Sequence, residues 1–169
     1  MTKPKPIPAP NISYNYKKIR GEFDMKKEIL ATNNIVLNQK AKDKIDAIKM
    51  AGKILVENGY VEEEYISKML EREELSSTYM GNYVAVPHGT EEAKTSVKSS
   101  GICVIQFPEG VDFGNGNIVH ILIGIAAVDN EHLDILSKIA IYCSEEENVL
   151  KMVKATSKEE ILSFFEAIN

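Results

Sequence analysis

The sequence predicts an α/β fold, a single domain in which a mixed β-sheet is flanked by helices on both faces. The first observation is a pair of almost wholly apolar runs, residues 101–107 and 118–127, which are typical of strands covered on both sides. The second is that amphipathic segments with helical spacing lie before, between and after the strand-like runs. The third is the length of 169 residues, which suits one domain with its own core.

Four amphipathic segments are predicted to be helices. The first begins at Asp43 and ends at the Asn58-Gly59 pair, because aspartate suits a helix N-cap and glycine the position just past a helix. The last begins at Ser157, which forms a capping-box pattern with Glu160. The four segments cover residues 43–59, 62–74, 130–143 and 157–168. The side chains expected to face the core are Ile45, Ile48, Ala51, Ile54, Leu55, Tyr65, Met69, Leu75, Leu133, Leu136, Ile139 and Ala140.

The strands are separated by residues that favour turns. Pro-Glu-Gly at residues 108–110 and Asn-Gly-Asn at 115–117 are predicted to be turns. Residues 84–86 are predicted to be a short strand that runs into Pro87, and the long run 118–127 is expected to be the central strand.

Residues 1–24 form a leader that differs from the rest of the chain. They hold four of the six prolines and carry a net charge of +3. Since the whole chain has a net charge of −5, the remaining residues carry −8. Closely spaced prolines favour an extended segment that does not pack. We therefore expect a disordered, basic leader over residues 1–24, a tag or fusion remnant rather than a membrane-binding or nucleic-acid-binding arm. The functional domain is predicted to cover residues 25–169.

Composition excludes several classes of protein. The longest nearly apolar run, residues 118–128, is about half of the roughly 20 residues that a membrane-spanning helix needs. The N-terminus has no apolar centre typical of a signal peptide, so we expect a cytoplasmic protein without direct membrane insertion. The acidic domain has no basic-aromatic stripe, so nucleic acid is not expected as a partner. Cys103 and Cys143 are too far apart in sequence for a redox or metal motif and are expected to be buried thiols.

His88 stands out because of its neighbours in the run Val86-Pro87-His88-Gly89. Proline restricts Val86 to extended backbone, and Gly89 is expected to let the chain turn sharply and to leave room beside the imidazole. A histidine held at a strand end would lie on the rim of the sheet, where a partner can reach it. From these residues alone, an ordinary loop histidine remains an equal alternative.

The other two histidines have different settings. His132 follows a predicted helix cap, where the positive end of the helix dipole favours the neutral imidazole, able to donate one N–H hydrogen bond. His120 lies inside the central strand and is expected to be a structural histidine with satisfied hydrogen bonds.

Five segments of the chain together resemble the mannitol-type enzyme IIA of the bacterial sugar phosphotransferase system, in colinear order from Met25 to the C-terminus. They are Leu70-Glu71-Arg72-Glu73-Glu74-Leu75, Thr78-Tyr79-Met80-Gly81 continuing to Gly89, Gln106-Phe107-Pro108-Glu109-Gly110-Val111-Asp112-Phe113, Ile123-Gly124-Ile125-Ala126-Ala127, and Asn130-Glu131-His132-Leu133.

The resemblance implies a function and a role for each candidate residue. In that family a histidine takes a phosphoryl group from the carrier protein HPr and passes it to a cysteine of enzyme IIB. Residue by residue, His88 would be the phosphorylated group, Arg72 the arginine that contacts the phosphoryl oxygens, and His132 the second histidine of the site. No cofactor or metal is implied.

The chemistry of these residue types suits that function. Much of a free imidazole is unprotonated near neutral pH and can attack phosphorus. Phosphoryl transfer needs little beyond in-line positioning and neutralisation of charge on the oxygens, which a planar guanidinium provides. Without the surrounding motif, Arg72 would be interpreted as a solvated helix residue paired with Glu71 or Glu73.

One position departs from the mannitol-type pattern, and two alternatives stay open. Asn82 stands where many members carry a glutamate, which could alter how a histidine or arginine of the site is oriented. The departure keeps fructose-type and nitrogen-regulatory relatives, acting as phosphorylation-dependent binding modules, as an alternative function. A metal-dependent hydrolase built on His88 and His132 ranks last, because their spacing fits no metal-binding signature.

Overall fold

The computed structural model describes residues 14–19 and 22–166, with side chains from residue 27 onward. The strands in chain order are β1 (Tyr14–Ile19), β2 (Glu22–Lys27), β3 (Ile35–Val36), β4 (Tyr79–Gly81), β5 (Val84–Ala85), β6 (Gly101–Asp112) and β7 (Ile118–Ala126). The α-helices are α1 (Lys44–Glu57), α2 (Tyr65–Leu75), α3 (Glu131–Cys143), α4 (Glu146–Lys154) and α5 (Lys158–Phe164), and short 3₁₀ helices cover Thr32–Asn34 and Glu91–Ser96.

Five strands form a mixed sheet in the order β3-β6-β7-β5-β4. The pairs β3–β6 and β5–β7 are parallel, and the pairs β6–β7 and β4–β5 are antiparallel. β7 lies in the middle, so the prediction of a central strand over this run is confirmed.

Both faces of the sheet are covered by helices. On one face, Ile102, Val104 and Ile123 belong to an apolar cluster that includes buried residues of α3, α4 and α5. On the other, Cys103 and Ile105 belong to a cluster with buried residues of α1 and α2. Successive residues of a strand point to opposite faces of the sheet. Because helices cover both faces, consecutive residues of the strand must all be apolar. The predicted fold class is confirmed.

The predicted turn over residues 108–110 is wrong. These residues stay within β6, whose register against β7 shifts between Gln106 and Val111 and then resumes with Val111 opposite Val119. The extra residues are absorbed as a bulge in which Gly110 takes a φ of 81°. The chain reverses instead around residues 113–117, where the second predicted turn lies.

The two predicted N-caps are confirmed. Asp43 Oδ1 accepts a hydrogen bond from the amide of Asp46 at 2.8 Å at the start of α1. Ser157 Oγ accepts one from the amide of Glu160 at 3.1 Å at the start of α5. Such bonds satisfy amides that the first turn of a helix leaves without partners. α5 ends at Phe164, earlier than predicted.

The predicted inward faces of the helices are partly wrong. Leu75 and Leu133 are 74% and 68% exposed, and Ile45 is 52% exposed. α3 presents Ile135, Ile139 and Cys143 to the core, side chains spaced by four residues on one face. Since the helix carries apolar residues on more than one face, its period alone did not determine which face would pack.

The elements not expected from the sequence are α4, β4, the 3₁₀ helix Glu91–Ser96 and the hairpin of β1 and β2. The hairpin overlaps the leader, since Tyr14 pairs with Lys27 and Lys17 with Asp24. All four leader prolines precede residue 11, so none interrupts this ladder. The expected disorder of residues 1–13 falls outside the described residues, and the division between residues 24 and 25 stays a prediction.

Within the described part of the chain, no helix is long and apolar enough to cross a membrane.

Candidate functional site

His88 lies just beyond β5, on a continuation of that strand beside β7. The amide of Ile125 in β7 donates to the carbonyl of Pro87 at 2.9 Å, and His88 is paired with Ile125 in an isolated parallel bridge. Beyond this point β7 ends at Ala126 and the chain leads toward α3. The strand pairing therefore carries His88 to the rim of the sheet, beside the N-terminus of α3.

A backbone carbonyl determines which ring nitrogen of His88 is free. Nδ1 lies 2.8 Å from the carbonyl oxygen of Val86. Because a carbonyl only accepts, the neutral ring carries its proton on Nδ1 and leaves a lone pair on Nε2.

The surroundings of His88 favour its neutral form. Burial lowers the pKa of His88 below its ordinary value, and the hydrogen bond to Val86 opposes this shift. The nearby His132 and Arg72 lower the pKa of His88 further, while Glu73 raises it. The free Nε2 lone pair is therefore retained down to a lower pH than in an isolated histidine.

His132 lies in the first turn of α3, facing His88. The two ring centroids are 4.7 Å apart, with an angle of 55° between the ring planes. Burial is the largest cause that lowers the pKa of His132, and Glu91 opposes it. The sequence predicted a neutral His132 from the helix dipole, and the direction agrees although desolvation is the leading cause.

Arg72 lies in the last turn of α2, and its hydrogen bonds to other described residues are to neutral groups. Its Nη1 donates to the carbonyl oxygen of Ser76 at 2.9 Å and to the Ser76 hydroxyl at 3.2 Å. The carboxylates considered as its partners pair elsewhere, Glu71 with Lys68 at 3.2 Å and Glu73 with Lys44 at 3.4 Å. In the described part of the chain, the charge of Arg72 is therefore not neutralised by a carboxylate.

The structure brings all three predicted site residues to one pocket of about 470 Å³. α2 supplies Arg72, the extension of β5 supplies His88, and α3 supplies His132. The exposed side chain of Leu75 also lines the pocket. The other lining residues are Tyr65, Glu71, Gly89, Thr90, Glu91, Glu92, Lys94, Val97 and Ala127.

Gly89 is required by close packing and not by a sharp turn, which corrects the expectation from the sequence. A Cβ atom at this position would lie 2.6 Å from Cε2 of Tyr65 and 2.9 Å from Cβ of Ala93. Tyr65 itself was expected only to fill the core. Its hydroxyl accepts a hydrogen bond from the amide of Gly89 at 2.8 Å and donates one to the carbonyl of Ile125 at 2.7 Å.

Sequence reasoning missed two buried polar groups: Thr90, which lines the pocket, and Glu73, which lies outside the pocket lining but acts electrostatically on His88. The hydroxyl of Thr90 is buried and has no hydrogen-bond partner among the described residues. Glu73 is 6% exposed, and its Oε2 accepts from the amide and the hydroxyl of Thr78 at 2.9 and 2.5 Å. No local sequence pattern marks Thr90 or Glu73 as functional. Their surroundings depend on which helix packs beside β5.

Asn82 does not line the pocket. It lies in the turn between β4 and β5 with a φ of 48°. Its side-chain amide donates to the carbonyls of Cys143 and Ser144 at 3.0 and 3.1 Å, at the C-terminal end of α3. In this structure the residue that departs from the family pattern therefore caps a helix outside the pocket.

The remaining candidates are structural. His120 Nδ1 lies 3.0 Å from the carbonyl of Phe107, and its ring meets Tyr83 edge-on at 5.5 Å. Cys103 and Cys143 are free and buried as expected, and burial raises the pKa of each thiol to about 12. Among the described residues, no group of three or more histidine, cysteine, aspartate or glutamate side chains is arranged to hold a metal ion.

A known protein family matches most of the chain. The family described as "Phosphoenolpyruvate-dependent sugar phosphotransferase system, EIIA 2" matches residues 28–168. The mannitol-specific phosphotransferase enzyme IIA component of Geobacillus stearothermophilus is 62% identical over 145 residues, 86% of this chain and 100% of that protein. The corresponding component of Bacillus subtilis is 57% identical over 142 residues, 84% of this chain and 99% of that protein.

A solved structure extends the agreement to the fold. It is the complex of enzyme IIA mannitol and phosphorylated enzyme IIB mannitol from Escherichia coli, with a TM-score of 0.78 and 41% identity. The match covers 82% of this chain and 97% of that one. The fold and the matched family thus define a component of a phosphotransferase system. The chain belongs to the EIIA 2 family of the phosphoenolpyruvate-dependent sugar phosphotransferase system, and its resemblance to the mannitol type is confirmed.

Proposed function

We propose that this chain is the cytoplasmic phosphocarrier of a mannitol phosphotransferase system. His88 accepts a phosphoryl group from phospho-HPr and passes it to a cysteine of a mannitol-type enzyme IIB. The observation that carries the proposal is the hydrogen bond of 2.8 Å between Nδ1 of His88 and the carbonyl of Val86, because it leaves Nε2 unprotonated in a pocket shared with Arg72.

The nucleophile is Nε2 of His88. Its lone pair forms a bond to phosphorus while the bond between phosphorus and the donor's imidazole breaks in line. Nδ1 keeps its proton throughout, so the phosphorylated ring carries a positive charge that the carbonyl of Val86 stabilises. Transfer to enzyme IIB reverses these roles, with a thiolate as the attacking group and Nε2 of His88 as the leaving atom.

Arg72 stabilises the phosphoryl group. In the free protein it makes neutral hydrogen bonds to Ser76. Exchanging these for bonds to phosphoryl oxygens gives charge-assisted and potentially bidentate contacts, which are about twice as strong. Because no carboxylate neutralises Arg72 among the described residues, its charge is available for the transferred group.

His132 contributes as a neutral donor. Its ring centroid is 4.7 Å from that of His88, close enough for a ring N–H to reach an oxygen of a group bound to Nε2. A neutral His132 adds no positive charge beside the phosphorylated ring, so it stabilises the oxygens without repelling the imidazolium.

The choice of mannitol rests on the relatives. The two proteins at 62% and 57% identity are both mannitol-specific components, and the Escherichia coli structure is a complex with a phosphorylated mannitol IIB. A fructose-type or nitrogen-regulatory module remains the alternative function. It was suggested by Asn82, which donates to the end of α3 and does not line the pocket.

The test is the intact mass of the protein after incubation with enzyme I, HPr and phosphoenolpyruvate. Wild type, His132→Ala and His120→Ala should each gain one acid-labile phosphoryl group, with His132→Ala reacting more slowly, whereas His88→Ala should gain none. His120→Ala is the matched control because His120 is a half-buried histidine outside the pocket. Absence of an adduct on the wild type would refute the phosphocarrier function. Transfer to a fructose-type but not a mannitol-type IIB would select the alternative.

A further inference from the structure

The hydroxyl of Tyr65 occupies a position in the sheet that a backbone hydrogen bond would normally fill. Along a regular parallel pair, the amide of Ile125 donates to the carbonyl of Pro87, and the amide of Gly89 then donates to the carbonyl of Ile125. The first bond is present at 2.9 Å. In place of the second, Tyr65 accepts from Gly89 at 2.8 Å and donates to Ile125 at 2.7 Å.

This inserted hydroxyl separates the two chains immediately after His88. Two hydrogen bonds that meet at one oxygen hold the amide nitrogen and the carbonyl oxygen about 4.5 Å apart, against about 2.9 Å for a direct bond. The chain therefore begins to diverge from β7 at Gly89, although His88 is still paired with Ile125 in an isolated bridge. His88 lies between Pro87 and Gly89, so the divergence determines how its ring leaves the strand.

The arrangement needs both the ring and the hydroxyl of Tyr65. The ring reaches the backbone because residue 89 is glycine, since a Cβ there would lie 2.6 Å from Cε2 of Tyr65. The hydroxyl serves as donor and acceptor at once, which requires that it stay protonated, and burial raises the pKa of Tyr65 to about 12. No other side chain among the described residues bonds to either of these two backbone groups.

We propose that Tyr65 is a positioning residue for phosphoryl transfer, whose hydroxyl bridges β7 and the amide of Gly89 and thereby aligns the imidazole of His88 with the carbonyl of Val86. This inference rests on the proposed function of His88. Tyr65 is only 4% exposed, so its hydroxyl acts through the backbone around His88 and not through a partner protein. If the hydroxyl is removed, Gly89 can move about 1–2 Å toward Ile125 to form the direct bond. A misplacement of that size at a reacting group can cost about 100-fold in rate.

The test compares Tyr65→Phe with Tyr60→Phe. Tyr60 is a close match, because it is 1% exposed, its hydroxyl accepts from Asn34 at 2.8 Å and donates to the carbonyl of Glu28 at 2.7 Å, and its ring also packs against a glycine, Gly101. Both variants lose one buried hydroxyl with two hydrogen bonds, so their losses of stability should be similar. Only Tyr65 is bonded to the segment that carries His88.

Two measurements distinguish positioning from a general structural role. The first is the rate of His88 phosphorylation as a function of phospho-HPr concentration, in which Tyr65→Phe should lower kcat about 10- to 100-fold with little change in KM. The second is the nitrogen-15 NMR spectrum of the unphosphorylated imidazole. Wild type and Tyr60→Phe should show the proton of His88 on Nδ1, whereas Tyr65→Phe should show a mixture of the two tautomers.

Each outcome decides the proposal. Wild-type kcat and an unchanged tautomer in Tyr65→Phe would overturn it, and so would an equal loss of kcat in Tyr60→Phe. The NMR measurement needs no phosphoryl transfer. If the wild type accepted no phosphoryl group, the proposed function would fail while the tautomer still reported whether Tyr65 positions His88.

Discussion

One backbone carbonyl makes His88 different from an ordinary surface histidine. A free imidazole distributes its proton between two nitrogens, but the bond of 2.8 Å to Val86 assigns it to Nδ1. The pyrrolidine ring of Pro87 lies between the two residues and restricts Val86 to extended backbone. The local sequence thus provides both the imidazole and the acceptor that orients it.

Thr90 is the residue for which stability and function should change in opposite directions. Its hydroxyl is buried without a partner among the described residues, beside a pocket that His88 and Arg72 also line. A buried hydroxyl without a hydrogen bond is destabilising, so Thr90→Val should raise the free energy of unfolding by about 1 kcal/mol in a urea titration. If the hydroxyl donates to a phosphoryl oxygen, the same change should slow phosphorylation about tenfold.

Thr90→Ser is the control for this prediction, because it keeps the hydroxyl and loses only a methyl group. It should phosphorylate close to the wild-type rate. A Thr90→Val variant that is more stable and equally fast would show that the hydroxyl has no part in the reaction.

At the scale of elements, the turn between β4 and β5 is joined to the end of α3 by Asn82. The amide of Asn82 donates to two carbonyls that have no partner within the helix. Its backbone is left-handed, with a φ of 48°, which asparagine tolerates better than alanine. Asn82→Ala should therefore lower the free energy of unfolding by about 1–2 kcal/mol in urea.

Phosphorylation of the folded Asn82→Ala protein should stay within about twofold of the wild type, because the residue does not line the pocket. Asn82→Gly serves as control, since glycine removes the same side-chain bonds but relieves the backbone strain and should cost less. A large loss of phosphorylation rate without loss of stability would mean that Asn82 acts on the site directly.

At the scale of the whole molecule, the two site histidines link stability to pH. Burial lowers the pKa of both His88 and His132 in the folded state. Below about pH 6.5 the unfolded chain binds protons that the folded protein does not, so the free energy of unfolding should fall as the pH falls through the folded pKa values. The stabilisation is fully present above that range.

The measurement is chemical denaturation between pH 5 and 8 for the wild type and a His88→Gln/His132→Gln variant. The variant should lose less stability between about pH 7 and 5, and the two curves should run parallel above pH 7. Parallel curves over the whole range would contradict the lowered pKa values.

Much of the architecture could be predicted because it depends on local chemistry. The caps at Asp43 and Ser157 involve bonds three residues apart, and the two apolar runs signalled strands buried on both faces. The bulge at residues 108–110 could not be predicted, since Pro-Glu-Gly favours a turn unless a neighbouring strand keeps pairing beyond it. The exposure of Leu133 depended in the same way on which face of α3 met the sheet.

By itself, the sequence determined four of the helices, the two buried strands and the motif that contains His88, because these depend on residues adjacent along the chain. The proximity of His88, Arg72 and His132 followed from the family resemblance and not from spacing. Only the tertiary structure decided that Arg72 has no carboxylate partner among the described residues, that Asn82 caps α3, and that Gly89 makes room for Tyr65. The physical reason is that each of these depends on a contact between elements distant in sequence, which forms only when α2, β5, β7 and α3 pack together.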